Sequence, residues 1–122
     1  MAGALILIVE DNDKNLKLAR DLLQHDGFRT LEAETAAAAI ALAEQHVPDL
    51  ILMDIQLPGL DGYEATRRIK TNPTLRHIPI IVVTSYALSG DDIKAFEAGC
   101  DAYISKPFSP RVLLAKVREY LS

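Results

Sequence analysis

Short apolar runs alternate with segments of helical spacing along the whole chain, and this alternation restricts the fold more than any other feature of the sequence. Three runs of branched aliphatic residues are apolar at every position, as is typical of central strands in a parallel sheet that is covered on both faces. They predict strands at Leu5 to Val9, Leu50 to Met53 and Ile80 to Val83. Two weaker strands are predicted at Phe28 to Ala33, which alternates like an edge strand, and at Ala102 to Ser105.

The segments between these runs have the residue types and apolar spacing of helices. The first helix carries its apolar face on Leu16, Ala19, Leu22 and Leu23. The other four are predicted at Ala36 to Ala43, Tyr63 to Lys70, Ile93 to Ala98 and Val112 to Leu121. Five strand–helix pairs with right-handed crossovers predict an α/β fold: a five-stranded, doubly wound parallel sheet of order 2-1-3-4-5, with helices on both faces, as in flavodoxin-like proteins. We expect one domain over residues 1–122.

Composition narrows the possible partners. Of the 122 residues, 49% are hydrophobic and 25% are charged, which is typical of a globular domain rather than a disordered chain. The net charge is −4 and no Lys/Arg-rich run occurs, so we expect no nucleic-acid partner. No apolar stretch approaches the ~20 residues that span a bilayer, so we expect no membrane partner and a cytoplasmic protein.

Residues of complementary chemistry follow four of the predicted strands. Glu10 and Asp11 follow the first strand, Asp54 the third, Thr84 the fourth and Lys106 the fifth. Because the carboxyl ends of parallel strands meet at one edge of such a sheet, we expect these side chains to converge.

This set of residues predicts phosphoryl transfer to a carboxylate. Carboxylates that lie together repel one another, and a hard cation such as Mg²⁺ relieves that repulsion while also binding a phosphate. Asp54 ends a central strand and is the predicted nucleophile, whereas Glu10 and Asp11 are better suited to hold the metal. Lys106 and Thr84 supply a positive charge and a hydroxyl group for the phosphoryl oxygens.

Other motifs with related chemistry do not fit the chain. Residues 11–13 begin like a calcium loop, but Leu16 stands where that loop needs glycine and Leu22 where it needs glutamate. Neither of the glycine-rich nucleotide-phosphate motifs occurs, and the acidic loop after the first strand would repel a flavin phosphate.

Two further residues are predicted to set the lifetime of the phosphorylated form. Gln56 and Tyr86 lie two residues beyond Asp54 and Thr84, and in the predicted fold their side chains flank the approach of water to the acyl phosphate. A large Tyr86 crowds that water, and Gln56 can hydrogen-bond it without acting as a base. We therefore expect a long-lived phosphorylated form. The alternative for Tyr86 is the outer surface of the following helix.

Three segments strongly resemble the receiver domains of two-component response regulators, and among these the single-domain regulators of cell division. They are Leu5 to Asn12, Asp49 to Gly62 and Ala102 to Phe108. The resemblance implies that Asp54 takes its phosphoryl group from a phosphohistidine on a sensor histidine kinase or a histidine phosphotransfer protein.

The resemblance also implies a metal site. Mg²⁺ would be bound by Asp11, by Asp54 and by the backbone carbonyl of Gln56, with Glu10 contributing through a water molecule.

The resemblance further implies a switch. Lys106 would pair with the phosphoryl group, Thr84 would move toward it, and Tyr103 would rotate inward. The face formed by the fourth helix, fifth strand and fifth helix would then change shape and bind a downstream protein partner.

Three readings of the function stay open. The first is a stand-alone interaction module, monomeric or weakly dimeric, that is not a metabolic enzyme. The second is a receiver domain from a larger protein, such as a hybrid kinase or a transcription factor. The third is a small phosphatase with an aspartyl-phosphate intermediate, which would need an aspartate at the position of Gln56 for acid–base catalysis.

Overall fold

The computed structural model, which describes residues 3–57, 61–84, 97–106 and 108–121, contains one parallel sheet. Its strands are β1 (Leu5–Val9), β2 (Arg29–Ala33), β3 (Leu50–Asp54), β4 (Ile80–Thr84) and β5 (Ala102–Ser105). They lie in the order β2-β1-β3-β4-β5, which confirms the predicted fold. The bounds differ from those predicted by one residue in three strands: β2 begins at Arg29, and β3 and β4 extend to Asp54 and Thr84.

Four helices are seen among the described residues: α1 (Asp13–His25), α2 (Ala36–His46), α3 (Gly62–Thr71) and α4 (Pro110–Leu121). The fourth predicted helix, at residues 93–98, lies largely outside the described residues, so α4 corresponds to the fifth predicted helix. Its start is capped as its sequence indicates, because Ser109 Oγ accepts a hydrogen bond from Val112 N at 3.1 Å and Pro110 takes the first helical position.

Helices cover both faces of the sheet, which explains why the central strands are apolar throughout. Successive residues of a strand point to opposite faces. In β1, Leu7 and Val9 belong to the core shared with α2 and α3, whereas Ile6 and Ile8 belong to the core shared with α1 and α4.

The apolar spacing of α4 predicts a buried stripe of Leu113, Val117 and Tyr120. Leu113 and Val117 are buried, but Leu121 takes the third buried position instead of Tyr120. Tyr120 is half-buried against the same core, and its hydroxyl donates a hydrogen bond to the Asp101 carbonyl at 2.8 Å. A phenol needs a partner for its hydroxyl group, which favours this position at the margin of the core.

Strand register brings the carboxyl ends of the strands to one edge of the sheet. Val9 pairs with Met53, Asp54 with Val83, and Thr84 with Ser105. The residues that follow these positions therefore meet above the centre of the sheet. This is the edge where the sequence predicts the site.

No helix within the described ranges is long and apolar enough to cross a membrane. The cytoplasmic location, the oligomeric state and the single domain over residues 1–122 stay predictions.

Candidate functional site

Backbone hydrogen bonds fix the two buried acids of the site. Asp54 is the last residue of β3 and is 3% exposed, and its Oδ1 accepts a hydrogen bond from Gln56 N at 3.0 Å. Glu10 directly follows β1 and is 6% exposed. Its backbone N donates to the Ala33 carbonyl at 2.9 Å, and its Oε2 accepts from Asn12 N at 3.3 Å. Both side chains are therefore held by the turns that leave the sheet.

The third acid, Asp11, is exposed at the mouth of the site. It stands just before Asn12, whose side chain caps α1 by accepting from Lys14 N and Asn15 N. The carboxylate oxygens that Glu10, Asp11 and Asp54 can offer lie within 4.8 Å of one another. Oxygen donors at this spacing suit a single hard cation, so the donor set fits Mg²⁺.

Lys106 crosses the site and bridges its two buried acids. Its Nζ lies 2.9 Å from Glu10 Oε1 and 3.2 Å from Asp54 Oδ2. Burial lowers the pKa of Lys106, but the hydrogen bond to Glu10 and the charges of Asp54 and Glu10 outweigh it, so the net pKa is raised. The ammonium is therefore charged and paired. Glu10 and Asp54 share this one lysine and Asp11 lies close to both acids, which leaves the site rich in negative charge.

The crowding of carboxylates also affects the pKa of Glu10. Burial, reinforced by the neighbouring Asp54, raises the pKa of Glu10 from 4.5 to about 7, although Lys106 opposes the rise. A carboxylate with such a pKa is costly to keep ionised in this environment. A divalent cation would lower that cost.

Three of the four remaining predicted site residues lie on β4, on β5 and in the loop after β3. Thr84 ends β4 and is 1% exposed, and its carbonyl accepts a hydrogen bond from Lys106 N at 2.7 Å. Tyr103 is half-buried on β5, in register with Val82, and packs against the core shared with α2 and α3. Gln56 is exposed, and the predicted lifetime residue Tyr86 lies outside the described residues.

The structure brings Glu10, Asp54, Thr84 and Lys106 to one edge of the sheet, and it adds a pairing that the sequence does not predict: the Lys106 ammonium joins Glu10 to Asp54. The sequence does contain an indication of this pairing, because Lys106 is the one cation among the five residues named at the strand ends. The role of Lys106 toward an incoming phosphoryl group stays a prediction.

The sequence also does not predict the hydrogen bonds of Asp49 and Asp101, which stand directly before β3 and β5. Their carboxylates accept from Leu5 N and Ile80 N.

Comparisons with known proteins agree with this geometry. The model of the response regulator receiver domain family matches residues 6–118. The polar-differentiation response regulator DivK of Brucella ovis is 47% identical over 116 residues, which cover 95% of this chain and 94% of DivK.

Solved structures give the same result. The receiver domain of the sensor histidine kinase PA1611 from Pseudomonas aeruginosa, whose active site cleft coordinates a magnesium ion, is 38% identical, with a TM-score of 0.92 and 98% of both chains covered. A receiver domain protein from Methanospirillum hungatei is 34% identical, with a TM-score of 0.90 over 98% of this chain and 94% of that one. The chain therefore belongs to the response regulator receiver domain family of two-component signalling.

Proposed function

We propose that the chain is a phosphorylation-dependent switch that accepts a phosphoryl group on Asp54 from the phosphohistidine of a sensor kinase or a histidine phosphotransfer protein. Receiver domains are signalling switches that interact with histidine kinases and downstream partners, and they are not metabolic enzymes. The observation that carries the proposal is the convergence of Glu10, Asp11 and Asp54, two of which Lys106 bridges.

In the proposed reaction, a carboxylate oxygen of Asp54 attacks the phosphorus atom. A P–O bond to Asp54 forms while the P–N bond of the phosphohistidine breaks, and the imidazole nitrogen keeps the electron pair. The hydrogen bond from Gln56 N to Asp54 Oδ1 orients the carboxylate for this attack.

The metal site is part of the proposal. Asp11, Asp54 and the backbone carbonyl of Gln56 would hold Mg²⁺ directly, and Glu10 would hold it through a water molecule. Bound Mg²⁺ supplies positive charge that offsets the charge of the phosphoryl oxygens. The separation of the three carboxylates supports this assignment.

Lys106 and Thr84 would bind the phosphoryl group once it is attached. Lys106 Nζ already lies 3.2 Å from Asp54 Oδ2, so it can bond a phosphoryl oxygen carried by that carboxylate with little movement. The hydrogen bond between Lys106 N and the Thr84 carbonyl ties the two residues together. Thr84 would move toward the phosphoryl group and Tyr103 would rotate inward. The downstream partner would then bind the face of the predicted fourth helix, β5 and α4.

Gln56 and Tyr86 are proposed to set the lifetime of the phosphorylated form. Tyr86→Ala should speed the loss of the phosphoryl group several-fold and leave its uptake from acetyl phosphate nearly unchanged, because only the hydrolytic water is crowded. Identical rates of loss in the variant and the wild type would show that Tyr86 does not shield the site.

The acceptor can be tested with acetyl phosphate and Mg²⁺. Intact-mass spectrometry should show the addition of one phosphoryl group to the wild type. Asp54→Asn should abolish it, and so should chelation of the metal. Asp21→Asn, which removes an exposed carboxylate from α1, is the matched control and should be phosphorylated like the wild type. An equal gain of mass in Asp54→Asn would refute the assignment.

A further inference from the structure

Gly62, the first residue of α3, makes the closest approach of any described glycine to neighbouring backbone. A Cβ added there would lie 2.5 Å from the Asp54 carbonyl oxygen and 2.5 Å from Ile55 Cα. Both are backbone atoms of the acceptor strand and the residue after it, so neither can rotate away as a side chain could. Any larger residue would have to push α3 and the end of β3 apart.

Backbone conformation does not explain this glycine. Its φ lies outside the left-handed region, in contrast to Gly3, Gly27 and Gly99. A helix is also weakened by glycine, by roughly 1 kcal/mol relative to alanine in its interior. Glycine is therefore required at this position because the backbone of Asp54 and Ile55 leaves no room for a Cβ.

One hydrogen bond joins Gly62 to the acceptor segment, and a second holds it within the first turn of α3. Its N–H donates to the Ile55 carbonyl at 3.2 Å. Its carbonyl accepts a hydrogen bond from Thr66 Oγ1 at 2.7 Å, and Thr66 is fully buried. The first turn of α3 is thus joined to the turn between Asp54 and Gln56, which contains the proposed nucleophile and the proposed carbonyl ligand.

We propose that Gly62 is a positioning residue for phosphoryl acceptance: its missing Cβ lets α3 lie directly on the backbone of Asp54 and Ile55 and so fixes the Asp54 carboxylate relative to the Gln56 carbonyl. This inference rests on the proposed function. A Cβ needs at least 3.4 Å for an ordinary contact, 0.9 Å more than the 2.5 Å available. Displacements of about 1 Å can cost on the order of 100-fold in rate.

The test compares Gly62→Ala with Ile69→Val, a buried substitution seven residues further along the same helix. Far-UV circular dichroism first confirms that both are folded. Calorimetric titration with Mg²⁺ alone should then show about 10-fold weaker binding for Gly62→Ala, the loss typical when a residue that orients metal ligands is removed. With acetyl phosphate at saturating Mg²⁺, its initial rate of phosphorylation should fall roughly 100-fold. Ile69→Val should stay within about twofold of wild type in both measurements, well below those two effects.

Folded Gly62→Ala with wild-type Mg²⁺ affinity and phosphorylation rate would overturn the inference. If the wild type binds Mg²⁺ but takes up no phosphoryl group, the proposed function fails, and the titration still decides the role of Gly62. If the wild type does not bind Mg²⁺, the proposed function and the inference on Gly62 both fail.

Thr66→Val covers the case in which Gly62→Ala does not fold. Valine has the shape of threonine but cannot donate to the Gly62 carbonyl, so it loosens the first turn of α3, which holds Gly62 on the acceptor turn, without adding an atom between the two. Weaker Mg²⁺ binding than in Ile69→Val would support the inference, and unchanged binding would refute it.

Discussion

Acidic residues stand at both edges of the sheet, but they perform different tasks there. At the amino edge, Asp49 Oδ2 accepts a hydrogen bond from Leu5 N at 2.7 Å, at the start of β1. Asp101 Oδ2 accepts from Ile80 N at 2.8 Å, at the start of β4, and also lies 2.8 Å from Lys70 Nζ. These carboxylates pair with donors that the strand ends leave available.

At the carboxyl edge, the acids outnumber the cations that pair with them among the described residues. Glu10, Asp11 and Asp54 lie together, and Lys106 bridges two of them. The cause is the direction of the strands. A parallel strand offers N–H donors at its start and carbonyl acceptors at its end. A carboxylate therefore stabilises the amino edge, whereas at the carboxyl edge it must find loop N–H groups, a lysine or a cation.

The largest expected effect is at the amino edge, where Asp101→Ala should destabilise the protein by about 2 kcal/mol. The substitution leaves the buried Ile80 N–H without its acceptor and Lys70 without its carboxylate. Chemical denaturation measures the change. Asp21→Ala on α1 is the control and should have little effect, because that carboxylate is exposed. Equal stability of the two variants would contradict a structural role for Asp101.

At the carboxyl edge, removing a carboxylate is expected to stabilise the protein rather than destabilise it. In metal-free buffer, Asp11→Asn should raise the free energy of unfolding by about 1 kcal/mol, because it removes one of three crowded charges and leaves both Lys106 contacts intact. Asp54→Asn should also raise it. Both should raise the melting temperature by several degrees.

The same variants test the metal. Mg²⁺ should stabilise the wild type and do little for Asp11→Asn or Asp54→Asn. Equal metal-induced shifts of the melting temperature in all three proteins would contradict the proposed site. If Asp11→Asn instead lowered the free energy of unfolding, acids at the carboxyl edge would stabilise the protein as those at the amino edge do.

The smallest effect is expected from an ion pair on the surface. Arg118 of α4 donates two hydrogen bonds to Asp26 at the end of α1, and the hydrogen bonding from Arg118 lowers the pKa of Asp26 below 3.8. This pairing contributes stability above the usual aspartate pKa and loses it as the pH falls through the lower, folded-state value.

Arg118→Ala should therefore lower the melting temperature slightly at neutral pH, and its difference from wild type should vanish in acid. Arg111→Ala, another exposed arginine of α4, controls for the loss of charge. A difference that persists well below pH 3.8 would show that packing rather than charge is responsible.

Much of the fold and of the candidate site could be predicted because their signals are local. The apolar run at Leu5–Val9 and the similar runs of β3 and β4 require helices on both faces of the sheet. Because the strands are parallel, Glu10, Asp54 and Lys106 then lie at the same edge. The strand ends were predicted less well: β3 and β4 extend onto Asp54 and Thr84, because the backbone pairing with β4 and β5, respectively, continues through these polar residues.

The tertiary structure alone decided which of these groups touch. Lys106 lies 96 residues from Glu10 along the chain, and Asp101 lies 21 residues from Ile80, so neither pairing has a local signature. Gly62 shows the same limit, because nothing in its own backbone conformation requires glycine and only the approach of α3 to Asp54 and Ile55 does. Sequence patterns determine which faces are buried and which ends are polar, since these depend on residue type and period. Contact distances of a few ångströms depend on how the elements pack, and that is settled only when the whole core has formed.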